Sequence, residues 1–209
     1  MNRPCNLIDL LRHGEPVGGR RYRGSGVDDP LSETGWSQMW RAVGDRPPFE
    51  RIVSSPMRRS RDFAEGLAER LGLPLAIEPR FREIAMGAWE GLTPEEVQRR
   101  DPEGHARYYA DPEGGRPAGG ESLASLLERV GAGFEDVLAQ GGGHLLIVSH
   151  AGVMRAILGH VLKAQANAWF QARVDYAGLT RLRIGRAGPK LEYHNRERLP
   201  ESEQTPVRT

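Results

Sequence analysis

The stretch Leu7-Ile8-Asp9-Leu10-Leu11-Arg12-His13-Gly14-Glu15 decides the fold and points to the chemistry. Its apolar residues predict a short strand that ends abruptly at an arginine, a histidine and a glycine. In α/β sheets, ligands and reactive groups collect just beyond the carboxyl ends of the strands. Arginine binds phosphate or carboxylate through two N–H groups at once, and histidine is a nucleophile or an acid–base group near neutral pH. The stretch is therefore the start of an active site or, alternatively, a surface turn with two polar residues.

The composition limits the classes of protein to consider. A chain of 209 residues fits one large domain, or one domain with an inserted cap. The net charge of +1 gives no global electrostatic reason to bind nucleic acid or an anionic membrane. The single cysteine, Cys5, has no partner for an intramolecular disulfide, which fits a reducing compartment. The sequence has no run of transmembrane length and no apolar signal core near Met1, so we expect a cytoplasmic protein.

A second predicted strand end carries serines and arginines. The run Arg51-Ile52-Val53-Ser54-Ser55 predicts a strand, and Pro56 suits the first turn of a helix that continues to about Leu71. Three arginines crowd the start of this helix: Arg58, Arg59 and Arg61. Cations at a helix N-terminus oppose the helix dipole. Either a bound phosphate offsets that cost, or the three side chains are simply exposed to solvent.

A third predicted strand, Leu75-Ala76-Ile77-Glu78, precedes a carboxylate in apolar surroundings. Glu83 follows this strand, with Ile84, Ala85 and Met86 as its next neighbours. Burial among apolar groups raises the pKa of a carboxyl group and suits it to acid–base catalysis. The alternative is a loop glutamate in water, which is the commoner situation for this residue type.

The most continuously apolar run, His144-Leu145-Leu146-Ile147-Val148-Ser149, predicts a buried central strand. It ends in His150-Ala151-Gly152, and a helix is predicted over residues 153–162. His150 is thus a second histidine at a strand-to-helix switch, although such a histidine is also common as a hydrogen-bonded structural residue.

Residues 18–24 bring three further arginines close to the end of the first strand. They form either a basic rim for an anionic substrate or a solvated surface loop.

Further segments show the periodicity of helices and strands. Ser32 or Thr34 caps one helix. A long helix follows residues 119–122, and two strands are predicted at residues 179–184 and 191–194. Strands that alternate with helices in this way are typical of an α/β fold.

Residues 93–120 form a distinct segment. Thr93 caps a short helix that begins with Pro94, and a passage rich in proline and glycine follows. We interpret this segment as an insertion over the sheet, in the position of a lid. The domain is then expected to span residues 1–198, with the insertion at about 93–120, and residues 199–209 are expected to form a flexible tail.

Four motifs occur in one order along the chain. They are Arg12-His13-Gly14-Glu15, Ser54-Ser55-Pro56-Met57-Arg58-Arg59, Arg82-Glu83 with Gly87-Ala88-Trp89-Glu90-Gly91, and Val148-Ser149-His150-Ala151-Gly152. In this order they resemble the histidine phosphatase (phosphoglycerate-mutase-like) superfamily, and the resemblance extends from about residue 7 to residue 184. It implies an α/β fold, a three-layer sandwich with a mostly parallel central sheet, in a single domain with a small helical insertion.

The resemblance also implies a role for each residue of the candidate site. His13 is the nucleophile that becomes phosphorylated, and Glu83 is the proton donor. Arg12, Arg59 and His150 surround the phosphoryl group. Two guanidinium groups, together with His150 if it is protonated, supply the positive charge that phosphoryl transfer needs, so no metal and no other cofactor is expected.

Two details of the motifs bear on the phosphate site. Arg59, rather than Arg58, aligns with the phosphate ligand of the superfamily. The superfamily often has threonine and asparagine where this chain has Pro16 and Gly19. The asparagine normally contacts the phosphate, so we expect Ser25 or an arginine of the 18–24 loop to replace that contact.

Within the superfamily, the chain resembles the phosphatase branch. It is short, and its segment Met86-Gly87-Ala88-Trp89-Glu90-Gly91 is similar to the phosphatases, whereas mutases carry longer segments that retain a bisphosphate intermediate. The stretch Trp169-Phe170-Gln171-Ala172-Arg173-Val174-Asp175 is similar to the α-ribazole phosphatases of cobalamin synthesis, which remove the 5′-phosphate from a nucleotide-like ester. The implied activity is metal-independent phosphomonoester hydrolysis. A broad-specificity or fructose-2,6-bisphosphatase-like sugar or metabolite phosphatase is the alternative.

An alternative from another class is an inactive pseudo-phosphatase that only binds phosphate. The presence of all five implied site residues argues against it. The expected partner is a small-molecule phosphate ester, with no nucleic acid and no membrane. The protein is expected to be a monomer or a homodimer.

Overall fold

One mixed sheet forms the centre of the protein. The computed structural model describes residues 6–141 and 143–200. Six strands lie in this part of the chain: β1 Leu7–Arg12, β2 Arg51–Ser54, β3 Leu75–Ile77, β4 His144–Ser149, β5 Leu179–Gly185 and β6 Gly188–Arg196. Their spatial order is β3-β2-β4-β1-β5-β6. The first four strands are parallel, while β5 runs antiparallel to β1 and β6 antiparallel to β5. The predicted α/β fold with a mostly parallel sheet is confirmed.

Helices cover both faces of the sheet. The described residues contain the helices α1 Glu33–Val43, α2 Arg58–Leu71, α3 Pro94–Arg100, α4 Pro102–Ala110, α5 Leu123–Ala139, α6 Ala151–Leu162 and α7 Ala166–Phe170. Alternate residues of β4 point to opposite faces, so Leu145 and Ile147 enter one core cluster while Leu146 and Val148 enter the other. Helices α5 and α6 pack on the first face through Val130, Phe134, Val153 and Ile157. Helices α1 and α2 pack on the second face through Met39, Val43, Phe63 and Leu67.

Side-chain hydrogen bonds cap the N-termini of two of the predicted helices. Ser32, not Thr34, caps α1, because its Oγ accepts the N–H of Gly35 at 3.0 Å. Thr93 begins α3 with a reciprocal pair of hydrogen bonds to Glu96. Both caps satisfy N–H groups that have no partner inside the helix.

Two predicted helix starts are wrong by one or two residues. Helix α2 begins at Arg58 with Met57 as its cap residue, so Pro56 precedes the helix and is not in its first turn. The N–H of Met57 donates to Ser55 Oγ at 3.2 Å, and residues 55–57 form a bend between β2 and α2. Helix α6 begins earlier than predicted, at Ala151, directly after β4.

The segment 93–120 packs on the sheet. It contains α3 and α4, and Val97 and Tyr108 are buried in the same core cluster as β1 and β4. The extents of the domain and of the insertion stay predictions.

The end of the described chain is also packed. Leu199 is buried, and its N–H donates to Ala42 O at 2.9 Å. Residues 201–209 of the predicted tail, like Cys5, lie outside the described residues. Within the described residues, no helix has both the length and the apolar composition needed to cross a bilayer.

A buried carboxylate connects four strands. Asp9 in β1 is fully buried and accepts hydrogen bonds from His144 Nε2 in β4 at 2.7 Å and from Tyr193 Oη in β6 at 2.8 Å. Arg181 in β5 donates two more, at 3.0 and 2.7 Å. Burial alone raises the pKa of Asp9, but the hydrogen bonds from His144 and Arg181 outweigh it and lower the pKa. The ion pair is therefore intact at neutral pH.

We expect Asp9→Asn to lower the free energy of unfolding by about 3 kcal/mol, because it removes the buried carboxylate that forms an ion pair with Arg181. Urea unfolding at pH 7 measures this change. The pKa of Asp9 is lower in the folded chain, so its stabilisation is present above the unfolded pKa and disappears as the pH falls through the folded value.

Asp45→Asn is the matched control, because Asp45 pairs with Arg70 on the surface and is 94% exposed. Its effect should be less than about 1 kcal/mol. Equal losses for the two variants would contradict the importance of the buried pair.

Candidate active site

Three parallel strands end side by side at one edge of the sheet. Strand β4 lies between β2 and β1. The N–H of His13 donates to Ser149 O, and the N–H of Ser55 donates to Val148 O, both at 2.9 Å. The first residues after β1, β2 and β4, which are His13, Ser55 and His150, therefore meet at this edge.

The His13 ring is held in one tautomer. It is 4% exposed, and its Nδ1 lies 2.7 Å from the carbonyl oxygen of Gly14. A carbonyl only accepts, so Nδ1 carries the proton and Nε2 keeps the lone pair of the neutral ring. Burial and the charges of Arg59 and Arg12 hold the pKa of His13 well below its ordinary value. The ring is therefore neutral at pH 7, with Nε2 available as a nucleophile.

The His150 ring packs edge-on against that of His13, with the ring centroids 5.2 Å apart. Its Nε2 lies 2.7 Å from Ser55 Oγ, while its buried Nδ1 has no hydrogen-bond partner among the described residues. Burial and the charge of Arg59 hold the pKa of His150 well below its ordinary value. The His150 ring is therefore neutral at pH 7, and the condition that it be protonated is not met.

Two arginines beside the histidines, the half-buried Arg12 and the buried Arg59, keep their positive charge. Arg12 donates to Val174 O at 2.7 Å and lies over the Tyr176 ring at 4.1 Å. Arg59 is 1% exposed and donates to the carbonyl oxygens of residues 24 and 27, each at 2.9 Å. The Nε atoms of both arginines are buried without a partner in the described chain. Backbone carbonyls orient both guanidinium groups, and the Asp28 carboxylate also lies 3.8 Å from Arg59 Nη1. Among the described residues, Arg12 has no carboxylate paired with it, which leaves its charge for an anion.

The other two arginines at the start of α2 face away from the site. Arg58 is exposed and lies 3.6 Å from Asp62. Arg61 pairs with Asp62 and Glu65. Of the three sequence candidates, Arg59 is the one that the structure buries beside the two histidines.

Glu83 lies at the N-terminus of α6. Its Oε1 accepts the N–H of Ile84 at 2.9 Å and the N–H of Gly152 at 3.1 Å. A Cβ on Gly152 would lie 2.4 Å from that oxygen, so a larger residue here would displace the Glu83 carboxylate. The carboxylate is therefore fixed beside His150 rather than loose in water.

Gly14 has a packing role in the first motif. A Cβ at this position would lie 2.2 Å from the carbonyl oxygen of Gly35 in α1. The absence of a side chain on Gly14 lets the turn after β1 pack directly against α1, and this contact holds His13 in place.

A cavity of about 600 Å³ opens above this edge. Its charged lining residues are Arg12, Arg20, Arg21, Arg23, Glu83, Arg155, Arg173 and Asp175, and its aromatic lining residues are Tyr22, Tyr108, Tyr109, Phe170 and Tyr176. Tyr108 and Tyr109 come from α4, and the hydroxyl of Tyr109 lies 2.9 Å from that of Tyr22. The predicted insertion thus forms one wall of the cavity.

The 18–24 loop supplies the basic rim that the sequence indicates. Arg23 is 6% exposed, lines the cavity and pairs with Asp29 at 2.9 Å. Ser25 instead donates its N–H to Glu90 at 3.2 Å. Of the two expected replacements for the asparagine at Gly19, the loop arginines are therefore the ones that line the cavity.

Sequence reasoning missed two cavity residues, Arg155 and Tyr176. Arg155 lies one helical turn after Ala151, so the periodicity of α6 could have indicated it. Tyr176 follows the Asp175 position in an irregular segment, where no periodic pattern exists.

Within the described residues, no three His, Cys, Asp or Glu side chains form a group that could bind a metal ion.

Curated relatives cover the chain to different extents. The bifunctional protein Rv2228c of Mycobacterium tuberculosis is 36% identical over 182 residues, which are 85% of this chain and 50% of that protein. The chain thus spans about half the length of that relative. Phosphoserine phosphatase 1 of Hydrogenobacter thermophilus is 34% identical over 175 residues, 80% of this chain and 82% of that protein.

Solved structures share the fold. Mycobacterial glucosyl-3-phosphoglycerate phosphatase Rv2419c has a TM-score of 0.80 at 29% identity, over 91% of this chain and 99% of that one. It has also been solved with VO3 and with inorganic phosphate. A putative alpha-ribazole-5′-P phosphatase from Escherichia coli has a TM-score of 0.79 at 24% identity, over 94% and 98% of the two chains.

The family assignment follows from the sequence match and the site together. The motif residues that the sequence singled out converge at one edge of the sheet, around a buried neutral histidine and the guanidinium groups of Arg12 and Arg59. The description of the family that matches residues 8–197 is "Histidine phosphatase superfamily (branch 1)". The chain belongs to this superfamily.

Proposed function

We propose that this protein hydrolyses phosphomonoesters through a phosphohistidine formed on His13. The observation that carries the proposal is the free Nε2 of a neutral, buried His13 beside the positive charges of Arg12 and Arg59. In the first step, Nε2 bonds to phosphorus and the P–O bond to the alcohol breaks. In the second step, water attacks the phosphohistidine, inorganic phosphate leaves, and the lone pair returns to Nε2.

The arginines and His150 stabilise the transferring group. Phosphoryl transfer depends mainly on positioning and on compensation of charge over the phosphoryl oxygens. Arg12 and Arg59 supply that charge. When the Ser55 hydroxyl donates to His150 Nε2, the proton of the neutral ring sits on Nδ1, the buried atom without a partner. His150 then donates this proton in a hydrogen bond to a phosphoryl oxygen and needs no net charge to do so.

Glu83 moves the protons in both steps. Its carboxyl group starts protonated and gives its proton to the alcohol oxygen as the P–O bond breaks. The resulting carboxylate then accepts a proton from the attacking water, which returns Glu83 to its starting state. Its position in the cavity wall, fixed by the N–H groups of Ile84 and Gly152, supports this role.

Two classes of substrate fit the site. The resemblance of residues 169–175 indicates α-ribazole 5′-phosphate, and the cavity rings of Tyr22, Tyr109 and Phe170 suit a flat base. The alternative is a sugar or metabolite phosphate. The relatives named as phosphoserine phosphatase 1 and glucosyl-3-phosphoglycerate phosphatase, at 34% and 29% identity, support this alternative.

We expect His13→Ala to lower the release of phosphate from p-nitrophenyl phosphate by about 10⁴-fold or more, because it removes the nucleophile. His160→Ala is the matched control, because His160 is a partly exposed histidine of α6 that binds Glu135. An inactive parent protein that still binds phosphate would indicate the pseudo-phosphatase instead. Activity of His13→Ala within about tenfold of the parent would refute the mechanism.

We expect turnover to persist in excess EDTA, because arginine and histidine side chains supply the positive charge. Initial rates with p-nitrophenyl phosphate before and after dialysis against EDTA measure this. A loss of activity that a divalent cation restores would contradict the proposed source of charge.

We expect Glu83→Gln to slow the hydrolysis of an alkyl phosphate by about 10²-fold or more, because an alkoxide is a poor leaving group without a proton. With p-nitrophenyl phosphate, whose leaving group is a stable anion, the loss should be much smaller. The ratio of kcat/KM for the two esters measures the difference. Equal losses for both esters would rule out the acid role.

A further inference from the structure

The segment that carries Glu83 belongs to no helix or strand. Residues 82–86 lie between two short 3₁₀ turns, Pro79–Phe81 and Gly87–Trp89. Outside helices and sheets, backbone N–H and C=O groups need other hydrogen-bond partners. The place that the Glu83 carboxyl group takes in the cavity therefore depends on the side chains that bind this segment.

Arg129 of α5 binds three carbonyl groups of this part of the chain. Its Nη1 donates to the carbonyl oxygens of Arg80 and Arg82, the latter at 2.9 Å, and its Nη2 donates to Glu83 O at 3.3 Å. The Arg129 side chain is 12% exposed. A guanidinium group presents its N–H groups in a fixed plane, so the three carbonyl groups are held at defined positions relative to α5.

A carboxylate holds Arg129 in this orientation. Glu121 accepts hydrogen bonds from Arg129 Nε at 2.6 Å and from Arg129 Nη2 at 2.7 Å. Its Oε2 also accepts the N–H of Ala85 at 3.3 Å, and its own N–H donates to Ala85 O at 3.0 Å. Burial alone raises the pKa of Glu121, but the hydrogen bonds and the charge of Arg129 outweigh it and lower the pKa. The charged pair thus holds the chain on both sides of Glu83.

The pair itself stands outside the cavity. Arg129 and Glu121 are not among the residues that line it, whereas Glu83 is. The Glu83 carboxyl group in turn accepts the N–H of Gly152 at the start of α6. A continuous series of contacts therefore leads from Arg129, through the backbone of Glu83, to the carboxyl group in the cavity.

We propose that Arg129, oriented by Glu121, is a positioning residue that holds the Glu83 carboxyl group where it gives its proton to the alcohol oxygen. This inference rests on the proposed function, in which Glu83 is the proton donor. Proton transfer needs the two oxygens within about 2.6–3.2 Å of each other. A displacement of about 1 Å costs about 10²-fold in rate.

Arg129→Gln should therefore reproduce part of the effect of Glu83→Gln. We expect kcat/KM for an alkyl phosphate to fall by about tenfold or more, because its leaving group needs the proton. For p-nitrophenyl phosphate, whose leaving group is a stable anion, the loss should be less than about threefold. Equal losses for the two esters would overturn the proposal, because a general weakening of the fold affects both alike.

Arg80→Gln is the matched control. The Arg80 side chain also joins this part of the chain to α5, through Asp136 at 2.7 Å. Its guanidinium donates to Glu78 and Asp136, which lie outside residues 82–86. The side chain is 35% exposed, so its loss should change the ratio of the two kcat/KM values by less than about twofold. A change as large as that in Arg129→Gln would overturn the proposal.

A double-mutant cycle separates action through Glu83 from action through other groups. Added to Glu83→Gln, Arg129→Gln should slow the alkyl ester by less than about threefold, because the proton donor is already absent. A loss as large as in the parent would overturn the proposal. Arg129 would then act through the fold or through His150, whose pKa its charge also lowers, behind burial and the nearer charges.

Arg129→Lys is the milder change if the Gln variant does not fold. Lysine keeps the charge but lacks the planar group that binds three carbonyls and a carboxylate at once. We expect it to lower the ratio of kcat/KM for the alkyl ester to that for p-nitrophenyl phosphate by about threefold or more. An unchanged ratio counts against the proposal.

A measurement without turnover tests the position of Glu83 separately from the proposed function. The N–H of Gly152 donates to the Glu83 carboxyl group from another element, so its NMR resonance reports where that group lies. In Arg129→Gln this resonance should shift in the same direction as in Glu83→Ala, which removes the acceptor, and in Arg80→Gln it should stay unchanged. An unshifted resonance in Arg129→Gln overturns the inference, even if phosphomonoesters are hydrolysed. An inactive parent with the expected shift overturns the proposed function and supports the positioning of Glu83.

Discussion

The parallel pairing of β1 with β4 is the constraint on which the site depends. Leu7 to Arg12 align with His144 to Ser149, so the two strands end level and the next residue of each is a histidine. Side chains alternate between the faces of a sheet, and a slip by one residue would turn one strand's side chains to the opposite face. The observed register instead brings the two rings to 5.2 Å, beside the charges of Arg12 and Arg59.

The protein buries charge in two different ways along β1. In the middle of the strand, Asp9 is compensated by Arg181 and by hydrogen bonds from His144 and Tyr193, which makes a closed cluster that joins four strands. At the end of the strand, the guanidinium of Arg12 is held by a carbonyl and a ring, with no carboxylate paired to it. A compensated charge favours one structure, whereas an uncompensated one stores affinity for an anion. The Asp9 cluster fixes the position of β1, and β1 in turn places the Arg12 guanidinium at the edge of the sheet.

The sequence predicted the strands and the positions of His13 and His150 because each follows an apolar run whose end is visible in the pattern. It also singled out Glu83 and Arg59, which the structure brings to the same edge, although their roles stay predictions. It could not predict the partners of Asp9, since Arg181 is 172 residues away and no local pattern connects the two. Arg155 is a different case, because the periodicity of α6 places it on the same side of the helix as Ala151, while its contacts with Phe170 and Ala172 depend on how α6 packs.

Different segments build the two ends of the cavity. The end with the two histidines consists of strand ends, whose positions the sheet register fixes. The 18–24 loop, α4, α6 and α7 supply Tyr22, Tyr109, Arg155 and Phe170 to the remaining walls. Loops and short helices change more readily than a central sheet. A likeness carried by strand-end motifs therefore bears on the proposed reaction more than on the alcohol of the ester, and the names of two solved neighbours differ in that alcohol. The choice among the proposed esters depends on the rings and charges of the other walls, where Arg155 is oriented by Ala172 O and by the Phe170 ring.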